Sequence, residues 1–110
     1  MLPRFTDHPQ ALKEKTRRLR LGPHDVPALL AHPNWRTPAP VVVWMHGRTV
    51  SKEIDPGRYL RWIRAGLGVC ALDLPGHGER FDRALQGPEA TLYVVRQMLD
   101  ELDDVVQSLG

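Results

Sequence analysis

The sequence predicts an α/β domain of three layers, a mostly parallel sheet with helices on both faces. Three observations predict it. Residues 41–45 (VVVWM) and 69–72 (VCAL) are unbroken runs of apolar, mostly β-favouring residues, as strands covered on both faces require. Between them, DPGRYLRWIRAG sets Tyr59, Leu60, Trp62 and Ile63 at helical spacing. Beyond Pro88 a second, longer helical pattern runs to the end of the chain. Apolar strands alternating with helices make right-handed crossovers, which lay helices on the sheet.

Taken in order, residues 1–15 are a weakly patterned leader with a short helix over residues 9–15. TRRLRLG alternates Arg18, Leu19, Arg20 and Leu21, the period of a half-exposed strand, and Gly22-Pro23 stop it. VPALLAHP is a second short strand between prolines. Proline gives the ladder no donor, so an edge or near-edge position is expected. NWRTPAP is the loop before the strand at 41–45. In the helix that follows, Pro56 suits the first turn and Gly66 the left-handed position that ends it. Pro88 opens the last helix, where Leu92, Val95, Leu99, Leu102, Val106 and Leu109 form the stripe expected to face the sheet. Glu89 suits the positive end of its dipole, and Gly110 can cap it. No repeat or low-complexity tract is present, so residues 1–110 read as a single unit.

Composition narrows the classes. A chain of 110 residues can bury about two thirds of its unfolded surface. Apolar residues at 42% and charged ones at 25% exclude disorder. The net charge of +2 gives no strong field. The early basic cluster (Lys13, Lys15, Arg17, Arg18, Arg20) contains Glu14 and no aromatic residue, so it reads as a solvated face with no nucleic-acid role. One cysteine, Cys70, excludes an internal disulfide and suits a reducing compartment. No apolar window has the length of a signal core or a membrane span, so a cytoplasmic protein without a membrane partner is expected.

Two loops carry the chemistry. HGRT, residues 46–49, follows the first apolar strand. Gly47 permits a sharp turn and close approach of a ligand, and the backbone N–H groups beyond it can face a developing oxyanion. DLPGHGER, residues 73–80, follows the next strand at the same sheet edge, where ligands of open α/β sheets bind. Its His77, between Gly76 and Gly78, is a candidate base, or more simply a residue that fixes the loop by hydrogen bonds. Asp73 is expected to tie loop amides, and Pro75 to set the turn.

Together these loops and the intervening helix resemble the N-terminal half of the α/β-hydrolase superfamily. The likeness is to bacterial serine esterases and peptidases of the dienelactone-hydrolase and prolyl-oligopeptidase kind. In those families an apolar strand ending in His-Gly carries the oxyanion loop, and the next strand ends in Asp-x-Pro-Gly-His-Gly. The resemblance covers residues 41–110, and residues 16–33 fit the family's leading antiparallel strands. It implies a three-layer α/β/α hydrolase fold, mostly parallel with antiparallel leading strands, and serine hydrolysis of an ester or peptide bond without cofactor or metal. Arg48, with Thr49 as the alternative, would give backbone oxyanion donors. His46, Gly47, Asp73, Pro75, Gly76, His77 and Gly78 would shape the loops, His77 matching a structural histidine rather than the triad base.

The family's nucleophile sits on a Gly-x-Ser-x-Gly elbow after the next strand. Neither serine here, Ser51 or Ser108, lies in such an elbow. A triad of Ser51, His77 and Asp73 lacks an activating turn, since Lys52 and Glu53 read as solvent-facing. A metal site of His46, Asp73 and His77 lacks close ligand spacing. GLGVCALD carries its glycines before the strand, not after it, so it is no dinucleotide fingerprint. Cys70 reads as an inert core residue. The expectation is therefore a hydrolase portion ending before its nucleophile, alone inactive. The alternatives are an inactive hydrolase-like binding module and a fragment without function. The strand at 41–45 is expected to be central, with one unpaired edge able to recruit a second copy.

Overall fold

The computed structural model describes residues 7–110. The elements are a helical turn α1 (Gln10–Lys13), strands β1 (Thr16–Leu21), β2 (Val26–Ala31) and β3 (Val41–Met45), helix α2 (Pro56–Arg64), strand β4 (Gly68–Leu72) and helix α3 (Thr91–Leu109). Three short 3-10 turns lie between β4 and α3. Residues 1–6 of the leader lie outside the described residues. The rest of it is not loose: Leu12 is fully buried in the core, and Thr16 Oγ1 donates to the Leu12 carbonyl at 2.7 Å.

The four strands form one mixed sheet in the order β1-β2-β4-β3. Only β3 and β4 are parallel; β1 with β2 and β2 with β4 are antiparallel. The expectation of a mostly parallel sheet is thus corrected. An unbroken apolar run reports that both faces of a strand are covered, and it says nothing of the neighbour's direction.

Two strand positions match the expectation. β3, expected to lie beside the strand at 69–72 with its other edge unpaired, pairs among the described strands with β4 alone, and its residues are exposed or half-buried. β2, expected at an edge or next to one, lies next to the edge strand β1. Its Pro27 is tolerated there because of where its lost donor would point. Asp73 N–H donates to the Pro27 carbonyl at 3.1 Å, and a non-proline residue at 27 would return a bond to the Asp73 carbonyl. The Arg80 guanidinium takes that role, donating to the Asp73 carbonyl from Nε at 3.2 Å and Nη2 at 2.7 Å.

Helices cover both faces of the sheet. On one, Tyr59 and Ile63 of α2 pack with Leu12, Leu29, Ala31, Val69 and Ala71. On the other, Met98 and Val105 of α3 pack with Leu21, Val26, Ala28, Cys70 and Leu72. The alternation along β4 assigns Val69 and Ala71 to α2, Cys70 and Leu72 to α3. α2 begins as its sequence predicts: the Asp55 carboxylate accepts from Arg58 N–H at 3.1 Å, and Pro56 sits in the first turn. It ends in a Schellman turn, with Gly66 at φ +90°, Gly66 N–H donating to Ile63 O and Leu67 N–H to Trp62 O.

α3 turns a different face to the sheet from the one its apolar stripe predicts. Val94, Met98, Glu101 and Val105 are buried. Of the predicted stripe, Leu102 and Leu109 pack against this core, while Leu92 is 64% exposed, Val95 46%, Leu99 59% and Val106 50%. The helix is apolar on two adjoining faces, and the buried one contains a charge. Glu101 is admitted because Arg80 meets it in a two-pronged pair, Nη1 to Oε2 and Nη2 to Oε1, both at 2.9 Å.

Candidate active site

Because β3 and β4 are parallel neighbours, with Met45 paired to Leu72, the loops that follow them leave the sheet side by side. They touch at once. His46 Nε2 accepts from the Leu74 N–H at 3.0 Å, and the His46 and His77 rings lie 5.4 Å apart between centroids. The Nε2 of His46 is thereby an acceptor, so its proton sits on Nδ1, which donates to the Gly47 carbonyl at 2.5 Å. Burial pushes the His46 pKa below its ordinary value, although the Gly47 carbonyl and Asp73 oppose this. The Asp73 Oδ1 at 3.9 Å therefore faces a neutral ring and not an ion-pair partner.

The loop after β3 carries several amides without a protein acceptor among the described residues. Among the described residues, neither the Arg48 nor the Thr49 N–H has a protein acceptor. Gly47, expected to make the turn, is not in the left-handed region; Thr49 is, at φ +68°, where a β-branched residue is strained. Its hydroxyl donates to the Arg48 carbonyl at 2.6 Å. A Cβ on Gly47 would meet nothing within 4 Å, so its bare face is open to a ligand.

The loop after β4 is organised by Asp73, whose side chain is fully buried. Its Oδ1 accepts from Lys52 N–H and its Oδ2 from Glu79 N–H, each at 3.0 Å. Gly78, at φ +57°, lies so close that a Cβ there would collide with this carboxylate. The Gly76 carbonyl accepts from Asp82 N–H at 2.9 Å and Gln86 Nε2 at 2.6 Å, which closes the turn. His77, 1% exposed, donates from Nδ1 to the Pro75 carbonyl at 2.9 Å. Among the described residues its Nε2 is buried without a partner. Leaving such an atom unpaired costs about 1–3 kcal/mol.

Lys52 is the residue that sequence reasoning misplaced. Its side chain is 0% exposed, not solvent-facing. Nζ lies 2.7 Å from Asp73 Oδ2, 2.5 Å from Glu79 Oε2 and 3.0 Å from Glu53 Oε1. Burial alone would lower its pKa, but the hydrogen bonds to Asp73, Glu79 and Glu53 outweigh it and hold the pKa up. The same bond to Lys52 pulls the Glu79 pKa down. Carboxylate oxygens of Glu53, Asp73 and Glu79 all lie within 4.8 Å of one another, a spacing that would suit a metal ion. The Lys52 ammonium already bonds to all three and occupies that position. Tyr59 OH donates to the Lys52 carbonyl at 2.6 Å, which ties the cluster to α2. The sequence held one signal: an aspartate at the end of a buried strand needs a cation, and Lys52 stands in the facing loop.

No hydrogen bond joins Ser51 to His77 or Asp73, and Ser108 Oγ donates to the Asp104 carbonyl at the far end of α3. The Cys70 thiol is pushed up to about 12 by burial, as an inert core residue should be. No helix among the described residues is long and apolar enough to cross a membrane.

No protein-family model and no curated protein matches the chain. Among solved structures it is similar to the crystal structure of TT1662 from Thermus thermophilus, with 26% sequence identity and a TM-score of 0.63. The match covers 84% of this chain and 40% of that one, so the chain spans well under half the length of its neighbour.

Proposed function

We propose that the two loops form the oxyanion side of a serine-hydrolase site acting on an ester or peptide bond, in a domain of α/β-hydrolase type. The observation that carries this reading is the pair of unspent amides at Arg48 and Thr49, at the carboxyl end of a parallel strand pair. Amides that donate to no protein group are available, without rearrangement, to an oxygen gaining negative charge. Lys52, Asp73 and Glu79 bind the two loops into one frame, and such fixity is what transition-state stabilisation requires. His46 and His77 each commit Nδ1 to a backbone carbonyl, which suits positioning. On this reading nucleophile, acid and base come from residues other than these 110.

A fluorophosphonate, which reacts with activated serines, tests it. The product of a reading frame extended past Gly110 to a Gly-x-Ser-x-Gly elbow should be labelled, and the 110-residue chain should not. Labelling at Ser51, or an extended frame without an elbow, would overturn the proposal. A second reading, a hydrolase-like module that binds without catalysis, is favoured by the exposed apolar flank of α3 and by the β3 edge, unpaired among the described residues. It expects self-association through that edge and no labelling of either product.

A further inference from the structure

Between the two loops and the first turns of α3 lies a cavity of about 220 Å³, bordered by Gly47, Arg48, Leu74, His77, Val94 and Val95. It is smaller than the roughly 300 Å³ at which pockets for drug-sized ligands begin, so it admits a short group. Leu74, Val94 and Val95 make its walls apolar, and the bare backbone of Gly47 leaves one side open. Within it the histidines differ. His46 has both ring nitrogens engaged, one with Leu74 N–H and one with the Gly47 carbonyl. His77 has Nδ1–H engaged with the Pro75 carbonyl, and its Nε2, in the neutral ring an acceptor, meets no donor although the side chain is 1% exposed.

We propose that this cavity is a binding subsite for a small uncharged group bearing one hydrogen-bond donor, a hydroxyl or an amide N–H, with His77 Nε2 as its acceptor. Among the described residues no carboxylate borders it, so a cation would find no partner among its apolar walls. A buried acceptor selects for a donor strongly, since an analogue lacking it leaves Nε2 unpaired. Arg48, whose amide is the candidate oxyanion donor, also borders the cavity. The identification of the bound group as part of a substrate rests on the hydrolase reading; the occupancy itself does not. The substrate class is then an ester or amide whose short branched acyl or leaving group carries a donor close to the reacting carbonyl.

The test titrates the 110-residue chain with isobutyramide and with methyl isobutyrate, which is similar in shape and lacks a donor. Imidazole and amide ¹⁵N shifts provide the readout. Isobutyramide should move His77 Nε2 and the amides of Arg48, Val94 and Val95, and should bind at least tenfold more tightly than the ester, ~1.4 kcal/mol. His77→Asn can still donate to the Pro75 carbonyl but offers nothing at the Nε2 position, and should erase the preference. Val95→Trp, at a half-exposed position, should fill the cavity and abolish both titrations while leaving the far-ultraviolet circular dichroism unchanged. If His77→Asn does not fold, Val95→Trp decides alone. Equal affinity for the two probes, a preference that survives His77→Asn, or shifts confined to another surface would overturn the subsite. Failure of phosphonate labelling with the preference intact would instead remove the hydrolase reading and leave the subsite standing.

Discussion

At the loop end of the sheet, buried charges are paired: Lys52 with Asp73, Glu53 and Glu79, and Glu101 with Arg80. Along β3 and the outer flank of α3 the situation reverses. There Val41, Met45, Leu92, Val95, Leu99 and Val106 are exposed, and among the described residues β3 has a strand partner on one side only. The first region carries charged groups inside and pairs them; the second carries apolar groups outside and leaves them uncovered. The comparison teaches which region holds its own shape. The loops are fixed by interactions internal to the chain, whereas the flank gains from anything that covers it.

The largest expected effect breaks the first region at its centre. Lys52→Met leaves the buried Asp73 carboxylate uncompensated and should cost about 3–5 kcal/mol in urea unfolding. Adding Asp73→Asn to that variant should recover part of the loss. A cost under ~1 kcal/mol would show that the cluster does not organise the loops. Next, Gly78→Ala forces a side chain into the left-handed region and against Asp73, and should destabilise by about 1–3 kcal/mol. No comparable penalty is expected for Gly47→Ala, where a Cβ has open space and φ is not left-handed.

A smaller effect comes through pH. The His46 pKa is lowered in the folded state, so the unfolded chain binds the proton more readily. The stability it contributes is present above its ordinary pKa of 6.5 and is lost as pH falls below that value. One such group gives a slope of at most about 1.4 kcal/mol per pH unit. His46→Gln, which can still accept from Leu74 N–H, should flatten that slope below pH 6.5 in chemical denaturation. The lowered Glu79 pKa adds a second loss at still lower pH, as its carboxylate protonates. For Lys52, with its pKa raised, the sign is opposite: its contribution holds through neutral pH and is lost as pH rises beyond the ordinary 10.5 through the folded value.

The smallest effect on folding belongs to the flank. Leu99→Lys should change stability by less than about 0.5 kcal/mol, being a surface substitution. Its consequence is for association: sedimentation should show the parent chain self-associating and the variant less so. Identical sedimentation of the two would remove the apolar flank from any interface.

Much of the strand-loop-helix frame was legible. Periodicity placed β3, α2 and β4, and Pro56 and Gly66 marked the ends of α2 because their backbone preferences are local. The meeting of the two loops followed from consecutive strands lying side by side. What was not legible depended on pairing across the chain. The buried face of α3 was hidden by Glu101, which reads as surface until Arg80 is known to reach it. Lys52 reads as solvated for the same reason. Pro27 fixed β2 near an edge, but the donor that replaces its missing N–H, Arg80, comes from another loop and could not be read.

That last substitution has a reach of its own. Pro27 belongs to the opening hairpin, yet by withholding an N–H it reserves the Asp73 carbonyl for Arg80, and Arg80 in turn holds Glu101 of α3. Replacing Pro27 by alanine would introduce a rival donor for that carbonyl without touching either loop. The guanidinium would then have to yield one grip, and α3 would loosen from the sheet through a change made on a different strand.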